Sequence, residues 1–417
     1  MQVMKELINM TLRFSLAVVL CVGHGRVMGQ FIGFEISGAR KSWSFPFENY
    51  NNLIVVPVTL NHTLPLKFIL DSGVRTTLLT DRTISDLINI SYDRSVTIIG
   101  VGKIREINAY VASNVSISLP GIEGKGQSLV VLEEDYLELR DHLGINVHGI
   151  LGYEFFNAFV VTIDYIEKIV TVTESHRFKP PRRYTVIPFE LVQAKPYVMA
   201  TIFQADGPAI EAKFLLDSGA SHALLVEYDT NENIMLPEKR FATLIGRGLG
   251  GELFGYYSRV PAFKLGDFVF KDMLASYTNN YSNPEVIQLT KRSGSIGGDL
   301  LSRFTTIYDY SRQRLYLLKN RKFSHHFEYN MSGIELITRG LDFSIKEVIL
   351  VVKGSPAEHA GMMTGDILLS VNGSLAQDMS LSDLNYLFRS RPGKKIKLLL
   401  ERNGQKIRIK FHLERLV

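Results

Sequence analysis

Among 417 residues there is one cysteine, Cys21, so neither a disulfide framework nor a thiolate metal site can be built from this chain. A long apolar run is missing too: the N-terminal stretch Phe14 to Val22 has nine residues, where about twenty are needed to cross a bilayer as a helix. Charge of one sign is scarce, with 47 Lys and Arg against 42 Asp and Glu leaving a net charge of +5. The basic clusters "RFKPPRR" (177–183) and "RSRPGKK" (389–395) sit beside proline or glycine and read as solvated linker or turn, so nucleic acid is not expected as a partner. The ten histidines show no metal-ligand spacing and no G-x-S-x-G occurs, so no metal and no cofactor are expected.

What remains is an ordinary globular composition, 46% hydrophobic and 21% charged, in a length suited to two or three domains. The start has the layout of an export signal. Lys5 and Arg13 precede the apolar core, and "VMG" stands before Gln30, which places the signal at 1–29. Cys21 would leave with it. Leu20 argues against lipidation there, since the residue before a lipidated cysteine is normally small.

The informative feature is a repeat. "FILDSGVRTTLL" (68–79) returns as "FLLDSGASHALL" (214–225), and walking outward keeps the register. Gly100 in "TIIGVGK" and Gly246 in "TLIGRGLG" stand equally far after Asp71 and Asp217. "ILGYEFFNAFVVTIDY" (150–165) faces "SIGGDLLSRFTTIYDY" (295–310) within one residue. Agreement over so long a stretch indicates two copies of one structural unit. Each copy reads as β, with runs such as "LIVVPVTL" and "YVMATIF" before the aspartate. Only "DYLELRDHL", "GYEFFNAF" and "GDLLSRF" suggest short helices. "HRFKPPRRYTVIP" (176–188) is the natural linker, because its three prolines lack backbone donors and resist regular structure.

Two equivalent Asp-Ser-Gly turns in a β-protein need no function, since these residues dominate turns. They acquire one if the two carboxyls meet at a pseudo-twofold axis. Carboxyl groups a few ångströms apart share one proton, and such a pair can hold a water, take its proton and protonate a leaving amine.

The constellation resembles the retropepsin-like aspartic proteases: an apolar strand, Asp-Ser-Gly, a glycine-bearing hairpin flap, and a later apolar-apolar-Gly segment behind the active loop. The resemblance implies two tandem acid-protease lobes, mainly β, at 30–180 and 181–324. It implies Asp71 and Asp217 as the dyad, Ser72 and Ser218 bracing the loops, Gly73 and Gly219 supporting them, and flap tips at Gly100, Gly102, Gly246 and Gly248. Val74 and Arg75 depart from the small or polar residues usual there, and neither flap carries a tyrosine at its tip; both departures bear on specificity and pH optimum. "GRGLGG" has dinucleotide-loop spacing, yet the strand-like "ELFGYYSRV" follows it, which argues against a cofactor site. His222 is matched by Thr76 in the first copy and is expected to be a packed or solvent-facing histidine.

From about residue 325 the pattern changes. "VILVVKGSPAEHAGMMTGDILLSVNG" offers a short helix entered through Ser355 and Pro356 and a strand closing in an Asn-Gly turn. This resembles a bacterial-type PDZ domain, at 325–417. The resemblance implies a loop whose N–H groups cap a peptide carboxylate while the peptide adds as a strand. Gly333, Ile334, Glu335 and Leu336 are the first candidate for that loop, and "RGLDF" (339–343) is the second; a module that merely packs on the protease is the alternative.

The whole chain thus resembles exported bacterial aspartyl proteases with a C-terminal PDZ domain. That implies a periplasmic, cell-envelope or secreted endopeptidase acting as a monomer on peptides or proteins, with a PDZ ligand that is a peptide C-terminus or strand. A catalytically inactive peptide-binding scaffold is the competing reading.

Overall fold

The computed structural model describes residues 32–38, 40–99, 106–279 and 288–417. The export reading and the flap glycines Gly100 and Gly102 lie outside the described residues. No helix among the described residues is long and apolar enough to cross a membrane.

In lobe 1 the strands Leu53–Leu60 and Leu64–Leu70 form an antiparallel hairpin, with Val55 opposite Ile69 and Leu60 opposite Leu64. Its turn places Asn61 and His62 at positive φ (47° and 55°), the handedness that matches the twist of the flanking strands. Strand Gly149–Leu151 lies parallel to the second arm, Leu151 beside Leu70. Lobe 2 repeats this arrangement: Lys195–Phe203 pairs antiparallel with Ile210–Leu216, and Arg292–Ile296 runs parallel to the latter with Ile296 beside Leu216. In both lobes the run before the aspartate is buried on both faces, which is why it reads as continuous Phe, Ile and Leu.

A six-stranded sheet joins the lobes. Its order is Thr185–Pro188, Arg314–Lys319, Phe304–Asp309, Val160–Asp164, Ile169–Thr173, Ser42–Pro46, and the central pair sets Val161 against Tyr308 and Thr162 against Ile307. The expected linker is therefore not irregular throughout. Its last four residues form an edge strand on Arg314–Lys319, and Pro188 is tolerated because it closes that strand at the sheet edge. One apolar core runs through both lobes and includes Phe68, Leu70, Phe155, Phe156, Phe214, Leu216 and Phe304.

The helices expected from the sequence form at Leu139–Leu143, Tyr153–Ala158 and Gly298–Leu301. Two others give too short a periodic signal to be read: Arg82–Leu87, capped by Asp81, and Leu381–Phe388, held by a Ser380/Asp383 capping box. The C-terminal module has its own core, built from Ile334, Val348, Leu368, Leu381, Leu384, Phe388 and Ile396 among others. Ile334–Arg339 is an edge strand of its sheet, paired only with Ile345–Val351 among the described residues. Pro356–His359 is capped by Ser355 with Pro356 in the first turn, and Asn372 and Gly373 at positive φ make the turn after Ile367–Val371.

Candidate active site

Parallel pairing aims both aspartates. Leu151 O accepts from Asp71 N–H (2.9 Å) and Ile296 O accepts from Asp217 N–H (2.9 Å), so each chain leaves its sheet at the same point and turns toward the other lobe. Behind each turn the later glycine segment passes at close quarters: Val74 O accepts from Tyr153 N–H (3.0 Å), and Ala220 O accepts from Gly298 N–H (2.7 Å). A Cβ at Gly152 would lie 2.6 Å from Val74 O, and one at Gly297 would collide with His222 O, which is the physical need for glycine in both places.

Ser72 and Ser218 lock the two turns together. Ser72 N–H donates to Ser218 Oγ (2.9 Å) and Ser218 N–H to Ser72 Oγ (3.1 Å). The hydroxyls then donate to the opposite lobes' strand ends, Ser72 to Leu216 O (2.8 Å) and Ser218 to Leu70 O (3.0 Å). Both serines are fully buried, so each of these four bonds is expensive to leave unmade. Tyr310 adds a brace that sequence reasoning missed: its hydroxyl donates to Ser72 O (3.3 Å), and its ring stacks on Phe156 with centroids 5.4 Å apart.

The Asp71 and Asp217 carboxyls are close neighbours: the place a Gly73 Cβ would take lies 3.1 Å from Asp217 Oδ1 and 3.2 Å from Asp71 Oδ1. Each also accepts from the glycine two residues on, Gly73 N–H to Asp71 Oδ1 (2.6 Å) and Gly219 N–H to Asp217 Oδ1 (3.1 Å). The glycines are required: a Cβ at Gly219 would run into the Asp71 carboxyl, and one at Gly73 would stand 3.1 Å from Asp217. Burial and then the charge of Asp217 raise the Asp71 pKa to about 8, against smaller opposing effects of Gly73 N–H and the Lys195 ammonium. A proton is therefore retained between the two carboxyls at neutral pH. His222 hydrogen-bonds Ser295 (2.9 Å) and burial keeps it below its ordinary pKa, consistent with a packed residue. Arg75 is exposed. No group of three or more His, Cys, Asp or Glu among the described residues is arranged to hold a metal.

The hairpin expected to be the second flap pairs Phe241–Gly248 with Gly251–Leu265, Gly246 facing Leu253 and Gly248 facing Gly251. A Cβ at Gly246 would meet nothing, so the strand has open space there. Next to these glycines are two anchors the sequence did not announce. Leu249 packs among Leu78, Ile107, Leu132 and Leu137 of lobe 1, and Arg247 forms an ion pair with Glu138 (3.1 Å). In the C-terminal module, the Gly333–Leu336 loop differs from its expected role. Gly333 N–H donates to Asn330 O (3.3 Å) and Ile334 N–H to Ser332 Oγ (3.3 Å), while the Glu335 carboxyl accepts from Tyr329 OH (2.6 Å). Amides that would cap a ligand carboxylate are thus used within the chain by the Asn330–Ser332 turn.

Residues 56–155 and 198–300 match the aspartyl protease family model, and residues 347–402 match that of the PDZ domain. The chain carries two aspartyl protease family regions followed by a C-terminal PDZ domain. It is also similar to the carboxy-terminal processing protease CtpA of Bacillus subtilis (strain 168), 40% identical over 60 residues. That segment is 14% of this chain and spans only 13% of the CtpA length.

Proposed function

We propose that the protein is an aspartic endopeptidase whose dyad is Asp71 and Asp217, assembled within one chain. The observation that carries this reading is the close approach of two carboxyls from different lobes, where burial and the charge of Asp217 raise the Asp71 pKa, on turns held by four reciprocal serine bonds. In this reading Asp217 takes a proton from a water held between the carboxyls, and the water oxygen attacks the peptide carbonyl. Neutral Asp71 donates a hydrogen bond to the carbonyl oxygen as it gains charge. The proton taken up is then delivered to the leaving amine. The flap glycines let backbone approach an extended substrate. The PDZ domain serves peptide or protein recognition, and the N-terminal segment directs export.

The test is incubation with a complex peptide library from pH 4 to 9, comparing the parent with Asp71→Asn. Cleavage by the parent alone is expected, falling as pH rises through about 8, where the pair loses its shared proton. No cleavage by either protein at any pH would leave the peptide-binding scaffold as the better account.

A further inference from the structure

We propose that Lys195 makes the lobe 2 wall of the cleft a subsite for a substrate carboxylate side chain. This rests on the cleft being a peptide-binding site. The ladder ends with Tyr197 opposite Leu215, and its register continued two residues further brings Lys195 toward Asp217, whose charge it feels together with that of Asp71. The same count in lobe 1, where Val55 faces Ile69, brings Leu53 opposite Asp71. Leu53 is buried in an apolar cluster with Val55, Ile69, Leu143 and Val147. Lys195 instead stands among charged and polar neighbours. Arg292 beside it is committed to Glu227, Nη2 to Oε1 at 3.1 Å with both side chains nearly inaccessible. Among the described residues Lys195 has no carboxylate within ion-pair distance, and the two aspartates share a proton and so offer little more than one negative charge between them. Burial and Arg292 both disfavour the ammonium, while Asp71 and Asp217 favour it. A substrate Glu or Asp placed on this side supplies the missing counter-charge.

The experiment measures binding to the Asp71→Asn protein, which holds a peptide without cutting it. Fluorescent peptides differing only by Glu or Gln at each successive position are titrated. At one position the Glu peptide should bind at least about tenfold tighter, a normal size for a charge-assisted contact. Lys195→Leu should abolish that ratio while leaving the Gln peptides unaffected; leucine is what lobe 1 carries there, so the fold should tolerate it. Lack of discrimination at every position, or an unchanged ratio in Lys195→Leu, overturns the proposal. Binding without hydrolysis by the parent would count only against the catalytic reading.

A separate set of contacts concerns the PDZ groove between Ile334–Arg339 and Leu381–Phe388. We infer that the Thr338–Leu381 end of this groove is already occupied by Glu138–Gly144 of lobe 1, and that this segment ties groove occupancy to the lobe 2 flap. Thr338 Oγ1 donates to Asp141 O (3.0 Å), Arg339 Nη1 pairs with Asp141 Oδ2 (2.6 Å), and Arg140 donates to Gly340 O (3.2 Å) and Leu341 O (2.9 Å). A Cβ at Gly144 would lie 3.3 Å from Thr338 Cγ2 and 3.4 Å from Leu381 Cγ, so the segment's end stands between the groove's two walls. At its other end are the Glu138–Arg247 pair and the packing of Leu137 and Leu139 in the cluster that receives Leu249. A peptide entering the groove must displace this segment and loosen the flap.

Amide hydrogen exchange of the full chain tests it with Arg339→Glu, which sets like charge against Asp141. Exchange should quicken in 138–144 and also in 246–253, with 396–400 in the PDZ core unchanged. Faster exchange in 138–144 alone would break the link to the flap. No change in either would show that the segment does not depend on the groove. Faster exchange in all three would report general destabilisation and equally overturn the proposal.

Discussion

In lobe 1 the strand beside the aspartate turn presents Leu53 and Val55 to Ile69, Leu143 and Val147; in lobe 2 the corresponding strand presents Lys195 and Tyr197 next to a buried Arg292–Glu227 pair. The turns themselves hardly differ. Each aspartate N–H bonds to a parallel neighbour, each carboxyl accepts from the second following glycine, and each serine bonds across to the other lobe. Symmetry is thus kept where two carboxyls must meet within hydrogen-bond distance, since an error of an ångström there would separate them. It is abandoned in the walls, which only have to be filled and satisfied. An apolar wall is satisfied by packing, and a charged one only by partners, which is why lobe 2 encloses an ion pair where lobe 1 has aliphatic side chains.

The largest expected effect tests the symmetric part. Asp71→Asn and Asp217→Asn should each abolish hydrolysis, by at least about a thousandfold in kcat, with circular dichroism unchanged. Substantial activity in either variant would break the equivalence of the two turns. The walls should respond differently. Glu227→Gln removes the charge paired with the buried Arg292 and should cost about 3–5 kcal/mol in urea unfolding, whereas Ile69→Val in the lobe 1 wall should cost about 0.5–1.5 kcal/mol. Equal costs would mean that the charged wall is not held by its ion pair.

At the flap, Gly246→Val places a side chain in open space and should leave Tm almost unchanged while lowering kcat/KM by up to about a hundredfold, because only substrate approach is obstructed. Parallel losses of Tm and activity would make Gly246 a structural position instead.

A subtler effect follows from the raised pKa of Asp71. Between its ordinary 3.8 and about 8, the folded protein keeps a proton that the unfolded chain has released, so this group makes stability fall as pH rises across that window. Asp71→Asn removes the dependence, and its Tm advantage over the parent should grow from pH 4 to pH 8. A constant difference would place the retained proton elsewhere. The smallest effect belongs to Arg75. It is exposed, and Arg75→Ser, which gives lobe 1 the residue lobe 2 has at Ser221, should change stability by less than about 0.5 kcal/mol in the same unfolding measurement.

Much of this could be read from the chain directly. Apolar runs ending in Asp-Ser-Gly, the glycine segments behind them, and the Ser-Pro and Asn-Gly signals of the PDZ domain are local strings whose geometry follows from propensity and turn chemistry. The sequence by itself determined that the chain would be mainly β and that Asp71 and Asp217 would occupy equivalent turns. Tertiary structure decided what stands near them. Lys195 is brought toward Asp217 by the hairpin that ends at Tyr197 and Leu215, Tyr310 reaches Ser72 from the joining sheet, and Glu138 meets Arg247 of the other lobe. The amides of Gly333 and Ile334 were likewise assigned by a turn at Asn330, and the Thr338 hydroxyl by a helix almost two hundred residues earlier in the chain. Such pairings leave no local periodicity, because each depends on which faces of distant segments are brought together when the shared core is buried.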